Sequence, residues 1–399
     1  MAREASVIRR RCVVVMGIMG QVPFAGVGWQ VLHYLEGFRR LNHEVYYVED
    51  TRDWPYDPER NAITDDCSYT VGYLSRVMAW CGLSDRWAYR AEPLGGRTFG
   101  LSDLELALLY RRADVIVNLH GAAALRDEHL RVPTRIYLET DPVKRQIEVA
   151  RGEARAIELL AGHTHHFTFA ENLGAADCRV PVGRFEYRPT RQPVLLDWWT
   201  QGDSSPNGRA QARAAFTTIS NWRQSGRDIE WKGETYVWSK HAEFLKFIDL
   251  PRRTAQPLEL AVAADDETIQ LIRGHGWRTI DAVTLSKDIV SYRRYILGSR
   301  GEFTVAKDQY VRPRSGWFSD RSACYLAAGR PVITQDTGFS KILPTGRGLF
   351  AFETVEDILG ALEAIEGDYA GHCRAALDLA MEYFAAERVL SDLLGAAGL

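Results

Sequence analysis

Three apolar runs in the first half of the chain each stop at residues able to do chemistry. Residues 114–119 end at His120-Gly121, residues 135–138 at Glu139-Thr140-Asp141, and residues 166–170 at Glu171-Asn172. Continuous apolar runs of this length, bounded by polar residues, read as buried parallel strands. Parallel strands present their C-terminal ends at one sheet edge, where ligands bind, so the three groups are expected to share a crevice. His120 therefore stands in ligand territory, against the plainer role of a histidine satisfied by a neighbouring loop.

A second set lies in residues 315–350. A loop carrying Gly316, Trp317 and Ser319 leads into a helical pattern over 320–328, broken at Gly329-Arg330-Pro331. A short apolar strand over 331–334 follows and ends in Gln335-Asp336-Thr337-Gly338. Free amides at a helix start near Ser319, Asp320 and Arg321 suit an anion, and the residues after the strand face the same side. The same pattern also describes an ordinary helix and strand in which Gly329 is only a helix cap.

The elements that must position these groups follow from periodicity. Residues 12–16 form a β-branched strand, and a loop over 17–28 precedes a helix over 29–41 and a strand over 43–50. Gly26 and Gly28 before that helix, with Glu49 and Asp50 after the next strand, invite a dinucleotide reading. The third glycine of that fingerprint falls on Val31, however, and the glycines lie well downstream of the first strand. The alternative is that Gly26 and Gly28 let the backbone approach a sugar or acceptor. A helix over 102–112 opens with Ser102 and Glu105 at capping-box spacing, and a helix is expected over 143–160. Residues 180–207, rich in proline with Trp198-Trp199, read as the interdomain linker. A second α/β unit then begins at 214, with a helix over 236–248, a strand over 258–263, helices over 265–273 and 286–297, and a strand over 301–306.

The segments Gly316-Trp317-Phe318-Ser319, Ala327-Ala328-Gly329-Arg330-Pro331-Val332-Ile333, Asp336-Thr337-Gly338-Phe339 and Gly346-Arg347-Gly348-Leu349-Phe350, in this order and spacing, resemble the nucleotide-sugar-binding half of GT-B glycosyltransferases. The resemblance implies an α/β architecture of two Rossmann-like parallel-sheet domains facing a cleft. The boundaries expected are 1–195 for an acceptor-binding domain, 208–375 for a nucleotide-sugar-binding domain, and 376–399 for a helix crossing back. It implies a metal-independent hexosyltransferase whose donor is a UDP- or GDP-linked sugar, with no further cofactor. It puts the diphosphate near Gly316 to Ser319 and near a basic pair after the first strand of the second domain, where Arg223, Arg227 and Lys232 are offered; Lys307, Arg312 and Arg314 are further candidates. His120, Asp141 and Asp336 are the expected catalytic residues, and Gln335, Thr337 and Gly338 the expected sugar contacts. The chain departs from the retaining families of this type, because the positions of their two glutamates hold Gly316 and Cys324, with Asp320 out of register. Residues 17–28 also hold no His, Asp or Glu that could serve as an inverting base. Retention is favoured. The rivals are a nucleotide-sugar epimerase and a catalytically silent nucleotide- or sugar-binding protein.

Bulk properties narrow the partners. The net charge of -3 over 399 residues gives no positive field for nucleic acid. Six scattered cysteines without C-x-x-C spacing argue against a disulfide framework or a zinc site and suit a cytoplasmic protein. The lack of a D-x-D motif disfavours a bridging divalent ion. The apolar run after Arg9 to Arg11 is too short to span a bilayer, which leaves peripheral membrane contact as the compatible alternative. The oligomeric state is not specified by the sequence.

Overall fold

The computed structural model describes residues 9–200 and 214–399. The first sheet comprises β1 (Cys12–Met16), β2 (Glu44–Glu49), β3 (Trp87–Ala91), β4 (Arg97–Gly100), β5 (Val115–Leu119), β6 (Thr134–Glu139), β7 (His165–Thr168) and β8 (Tyr187–Pro189). Their spatial order is β8-β7-β6-β5-β1-β2-β3-β4, parallel throughout except for the edge strand β4. The second sheet comprises β9 (Phe216–Asn221), β10 (Leu258–Ala263), β11 (Arg278–Asp281), β12 (Gly301–Thr304), β13 (Val332–Gln335) and β14 (Leu349–Phe352), in the all-parallel order β11-β10-β9-β12-β13-β14. In both sheets the order reverses beside the first strand, between β1 and β5 and between β9 and β12. These are the two crevices where an open parallel sheet binds ligands.

Helix packing joins the halves. Helix α1 (Ala25–Arg40) lies against α2 (Ile289–Gly298) and α3 (Asp320–Ala327) of the second half. Helix α4 (Tyr369–Tyr383) stays on α3, whereas the last helix, α5 (Ala386–Ala396), returns to pack on α1. Between them, Ala385 forms an isolated parallel bridge with Val194, sealed by Val194 N–H to Phe384 O at 2.7 Å and Ala386 N–H to Val194 O at 3.0 Å. One apolar cluster runs from β1 through Trp29, Ile289, Tyr292 and Phe318 to α5, so the two sheets share a core. No helix among the described residues is long and apolar enough to cross a membrane.

Several elements differ from the sequence reading for identifiable reasons. Helix α1 begins at Ala25, so Gly26 and Gly28 are in its first turn rather than in a ligand-facing loop. A Cβ on Gly28 would lie 2.9 Å from the Tyr73 hydroxyl and 3.3 Å from Ile289 Cγ2, so this glycine serves close packing against the other half. The helix expected over 143–160 is two, Lys144–Ala150 and Ala154–Ala161, separated at Gly152 with φ 77°. The helix expected over 236–248 shrinks to His241–Leu245, because residues 234–236 pair with Ile229–Trp231 as a hairpin. Part of the expected linker is ordered structure: Tyr187–Pro189 extends the first sheet, and Trp199, fully buried, donates its Nε1–H to His33 Nε2 at 2.9 Å. The Gly202 to Asn207 stretch lies outside the described residues.

The tightest junction is at Gly316, whose φ of 81° lies in the left-handed region. A Cβ there would fall 2.4 Å from the backbone nitrogen of Asn172 in the first half. Gly316→Ala is therefore expected to cost about 3 kcal/mol of stability, from left-handed backbone strain plus overpacking. Urea unfolding checks it, and an unchanged midpoint would show that this junction does not hold the halves together.

Candidate active site

A cavity of about 850 Å³ opens where β5 and β6 end, lined by His120, Glu139, Asp141 and Arg145 of the first half and by Arg227 and Trp238 of the second. Its geometry starts from the turn after β5. His120 and Gly121 both adopt positive φ, 62° and 59°, and His120 N–H extends the ladder to Leu138 O at 2.9 Å. A non-glycine residue held in that region stores strain, a feature that concentrates at functional sites. The strain aims the imidazole inward. Its Nδ1 hydrogen-bonds the Thr140 hydroxyl, while Nε2 is buried and unpartnered. Burial, reinforced by the Arg227 guanidinium and opposed by Asp141, pushes its pKa down to about 4, so the ring is neutral at pH 7.

Asp141 crosses the cleft. Its carboxylate receives the Lys307 ammonium at 3.1 Å and the Tyr310 hydroxyl, both from the second half. Burial raises its pKa, but Lys307, Tyr310 and His120 outweigh that and hold it down at about 2. Lys307 in turn sits 3.1 Å from the centroid of the Trp238 ring, and burial lowers it to about 8 despite Asp141. Below this pair lies Glu139, only 2% exposed. Its Oε2 accepts from Gln146 at 2.5 Å and Thr168 at 2.7 Å, its Oε1 has no partner, and burial lifts its pKa to about 7.

A cationic cluster occupies the switch point of the second sheet. Arg321, on the first turn of α3, braces β9 and β12 through Glu302 at 2.6 Å, Ile219 O at 2.6 Å and Thr304 at 2.8 Å. Lys240, immediately before the His241–Leu245 helix, is half-buried, and its side chain makes no hydrogen bond or ion pair among the described residues. Burial, then the charges of Arg321 and Lys307, push its pKa well below the usual lysine value. The start of α3 has no side-chain cap, since Ser319 does not cap it. A lysine side chain crowded by two other cations is an arrangement that an anion stabilises.

The other residues expected at the site are placed as follows. Gln335 is a buried strut, its Oε1 accepting from Ala306 N–H at 3.1 Å and its Nε2 donating to Glu243 at 2.7 Å. Asp336 caps its own turn, accepting from Gly338 N–H at 2.9 Å and the Ser340 hydroxyl at 2.8 Å, and pairs with Arg314 at 3.4 Å. Thr337 donates to Trp317 O at 2.6 Å and takes Gly316 N–H at 2.8 Å, while Gly338 supplies the turn's φ of 97°. These groups spend hydrogen bonds on the protein, and none of residues 335–338 lines the cavity, where they were expected to contact a sugar. Gly316 likewise meets Asn172 rather than open space. Trp317 lies with one face stacked on Tyr310 at 4.4 Å and gives its Nε1–H to Thr140 O at 2.9 Å, so it steadies the residue that holds His120. Asp320 accepts from Gln30 of α1 at 2.9 Å, and burial raises its pKa to about 7. Arg223 is exposed, and Lys232 sits at the tip of the hairpin over Trp231, away from the cavity lining; of the three basic residues offered, Arg227 alone lines it. Glu49 does not offer itself to a ribose, because it clamps the amides of Gly20 at 2.6 Å and Gln21 at 2.5 Å. Arg312 pairs with Asp308 at 2.5 Å and Glu234 at 2.9 Å.

Among the described residues one group of possible metal ligands comes together, Asp50, Glu128 and His129. Arg126 pairs with Asp50 inside it and gives His129 Nδ1 its backbone N–H at 3.0 Å, so the group reads as an ion-pair network. Lys240 was not singled out from the sequence. The helix expected over 236–248 placed it on a helical face, and the Ser239-Lys240 start of a shorter helix was the missed signal.

Two expectations follow. Asp336→Ala should lower stability by about 2 kcal/mol, because it strands turn amides and Arg314, and differential scanning calorimetry reads this. Folding keeps Glu139 protonated up to about pH 7, whereas the unfolded chain ionises at its ordinary 4.5. Its contribution is thus fully present below pH 4.5 and lost as the pH rises towards 7. Glu139→Gln should reduce the fall in stability across that window, measured by urea unfolding; an unchanged slope would mean that the carboxyl ionises normally.

No protein-family model matches the sequence, and no curated protein matches it. Solved structures do resemble the fold. An alpha-glucosyltransferase in complex with UDP and a 13-mer DNA containing a HMU base is 10% identical over 98% of this chain and 100% of that one, with a TM-score of 0.58. The sucrose-phosphate synthase of Thermosynechococcus elongatus is 13% identical over 97% and 100%, with a TM-score of 0.54. HepE of Anabaena, in complex with UDP and glucose, is 10% identical over 97% and 100%, with a TM-score of 0.55. Together with the two switch points facing one cleft, this likeness shows the GT-B fold, spanning the full length of both chains.

Proposed function

We propose that the chain transfers a sugar from a nucleotide diphosphate donor to an acceptor held by the first half. The observation that carries this reading is the cationic group at the switch point of the second sheet: the Lys240 side chain without a partner, and near it Lys307 and Arg321, the latter on the first turn of the uncapped helix α3. Those charges suit a departing diphosphate, whose developing negative charge they neutralise without proton bookkeeping. The UDP, and in one case glucose, bound by proteins of similar structure support a donor of that class, which we take to be UDP- or GDP-linked. They support no choice of acceptor.

In the proposed reaction the bond between the anomeric carbon and the diphosphate oxygen breaks. A bond from the same carbon to an acceptor hydroxyl oxygen forms, and the hydroxyl proton passes to the leaving diphosphate. His120 presents a neutral ring to the sugar, held in place through Thr140 and Trp317. Asp141, through Lys307, couples closure of the cleft to the charge on the donor side. His120 with a pKa of about 4 and Asp141 at about 2 are weak bases, which supports retention with the phosphate as proton acceptor. Glu139, at about 7, is the group whose basicity would suit inversion. The cations Lys240, Lys307 and Arg321 supply charge that a divalent ion would otherwise bring, in keeping with a metal-independent enzyme. The residues carried forward are His120, Asp141, Lys240, Lys307, Arg321 and Arg227.

Isothermal titration with UDP and GDP tests the donor half. Lys240→Ala is expected to weaken nucleotide binding about tenfold or more, the loss of one charge-assisted contact. His120→Ala should abolish transfer of the donor sugar while leaving the melting temperature nearly unchanged. Absence of nucleotide binding by the wild-type chain would refute the reading. Binding without transfer or hydrolysis would indicate a silent binding protein, and turnover of the nucleotide sugar without acceptor would indicate an epimerase. Proton NMR of the product's anomeric centre, with Glu139→Gln alongside, decides the stereochemistry: an inverted product lost in that variant makes Glu139 the base.

A further inference from the structure

The cavity carries more positive charge than its own acids neutralise. Arg52, Lys144, Arg155 and Arg227 line it and have no ion-pair partner among the described residues. Of the carboxylates that face them, Asp141 is committed to Lys307 at 3.1 Å and Glu148 to Arg145 at 2.7 Å. Asp53 and Glu158 remain, against four free cations, and Glu139 is held protonated up to near neutrality by burial. The basic residues are also badly placed for stability. Lys144 and Arg145 open one short helix and Arg155 lies in the first turn of the next, and neither first turn contains an acid. Cations at that end oppose the helix dipole, so local stability does not account for them.

The cavity has a second chemical character deeper in. Two side chains that line it, His120 and Glu139, each keep one buried polar atom, Nε2 and Oε1, without a hydrogen-bond partner. Buried polar atoms are almost always paired, and unpaired ones at a cavity wall call for a ligand able to donate or accept. Unpaired cations, three exposed and Lys144 half-buried, and hydrogen-bonding groups with a buried unpartnered atom together define a ligand with two parts.

We propose that the cavity receives an acceptor in which a hydroxylated body is joined to a phosphate or carboxylate, the anion resting on Lys144 and Arg155 and the hydroxyls turned towards His120 and Glu139. This rests on the transferase reading and specifies its acceptor side. Arg52 and Arg227 flank the anion and steer it inward, and the hydroxyl to be glycosylated faces His120 and Glu139.

The test uses the whole chain and three probes: glucose 6-phosphate, glucuronate and glucose, with binding followed by ligand-observed NMR at low salt. Glucose 6-phosphate or glucuronate is expected to bind about tenfold more tightly than glucose, the preference fading as salt is raised. A Lys144→Glu, Arg155→Glu double variant should lose that preference, while Lys144→Gln alone should reduce it. UDP titration of the same samples reports the donor half independently. Equal binding of charged and uncharged sugars, binding of none of them, or a preference that survives the double variant with UDP binding intact overturns the anionic acceptor alone. Loss of UDP binding by the unaltered chain overturns the transferase reading beneath it.

Discussion

The arrangement of the site depends on backbone contacts that stitch residues 313–317 of the second half to strand ends of the first. Asn172 N–H reaches Ser315 O at 3.1 Å and Arg179 N–H reaches Pro313 O at 2.8 Å, and the Trp317 indole N–H adds a side-chain bond to Thr140 O at 2.9 Å. Main-chain groups cannot shift independently as side chains do, and each such bond contributes about 1 kcal/mol net. These contacts therefore fix where the β5 and β6 ends stand relative to the cations beside β9. Gly316 has no side chain because the two backbones touch there. Without that approach, His120 and Lys240 would belong to separate sheets with no common task.

Charge is distributed unequally across this junction. Carboxylates near it are either paired, as Asp141 and Glu302 are, or kept protonated by burial, as Glu139 and Asp320 are. The arginines on both sides keep their charge, while burial, then the charges of Arg321 and Lys307, push Lys240 well below the usual lysine value. A low-dielectric crevice that neutralises its own acids while retaining its bases has an electrostatic preference for anions at both ends. The dehydrogenase arrangement that the opening βαβ unit could suggest is excluded on similar grounds: Glu49 spends both oxygens on the amides of the β1 loop, and Asp50 is committed to Arg126.

Much of the scaffold was legible in the sequence, because buried parallel strands are uninterrupted apolar runs. Residues 12–16 and 258–263 match strands to the residue, and the Ser102-Glu105 capping box forms as its spacing indicates. Short strands without such runs were missed, Tyr187–Pro189 among them, since an edge strand is stabilised by one neighbour rather than by its own composition. At the site, the strand-end rule located His120 and Asp141 at the cavity. Gln335 and Asp336 occupy an equivalent strand end outside the cavity lining and spend polar atoms on the protein. Sequence spacing reports where a side chain begins, and hydrogen-bond saturation decides whether it is available. Lys240 shows the converse, since its significance lies in the lack of a partner, which no motif records.

The bridge between Val194 and Ala385 has a mechanical meaning. A segment near the end of the first half and the segment that returns to it are bonded side by side in the interior. Sliding of one sheet along the other would tear that pairing, whereas rotation about it leaves both bonds intact. Rotation is opposed in turn by the Asn172–Ser315 and Arg179–Pro313 bonds, which a swing of the halves would have to break.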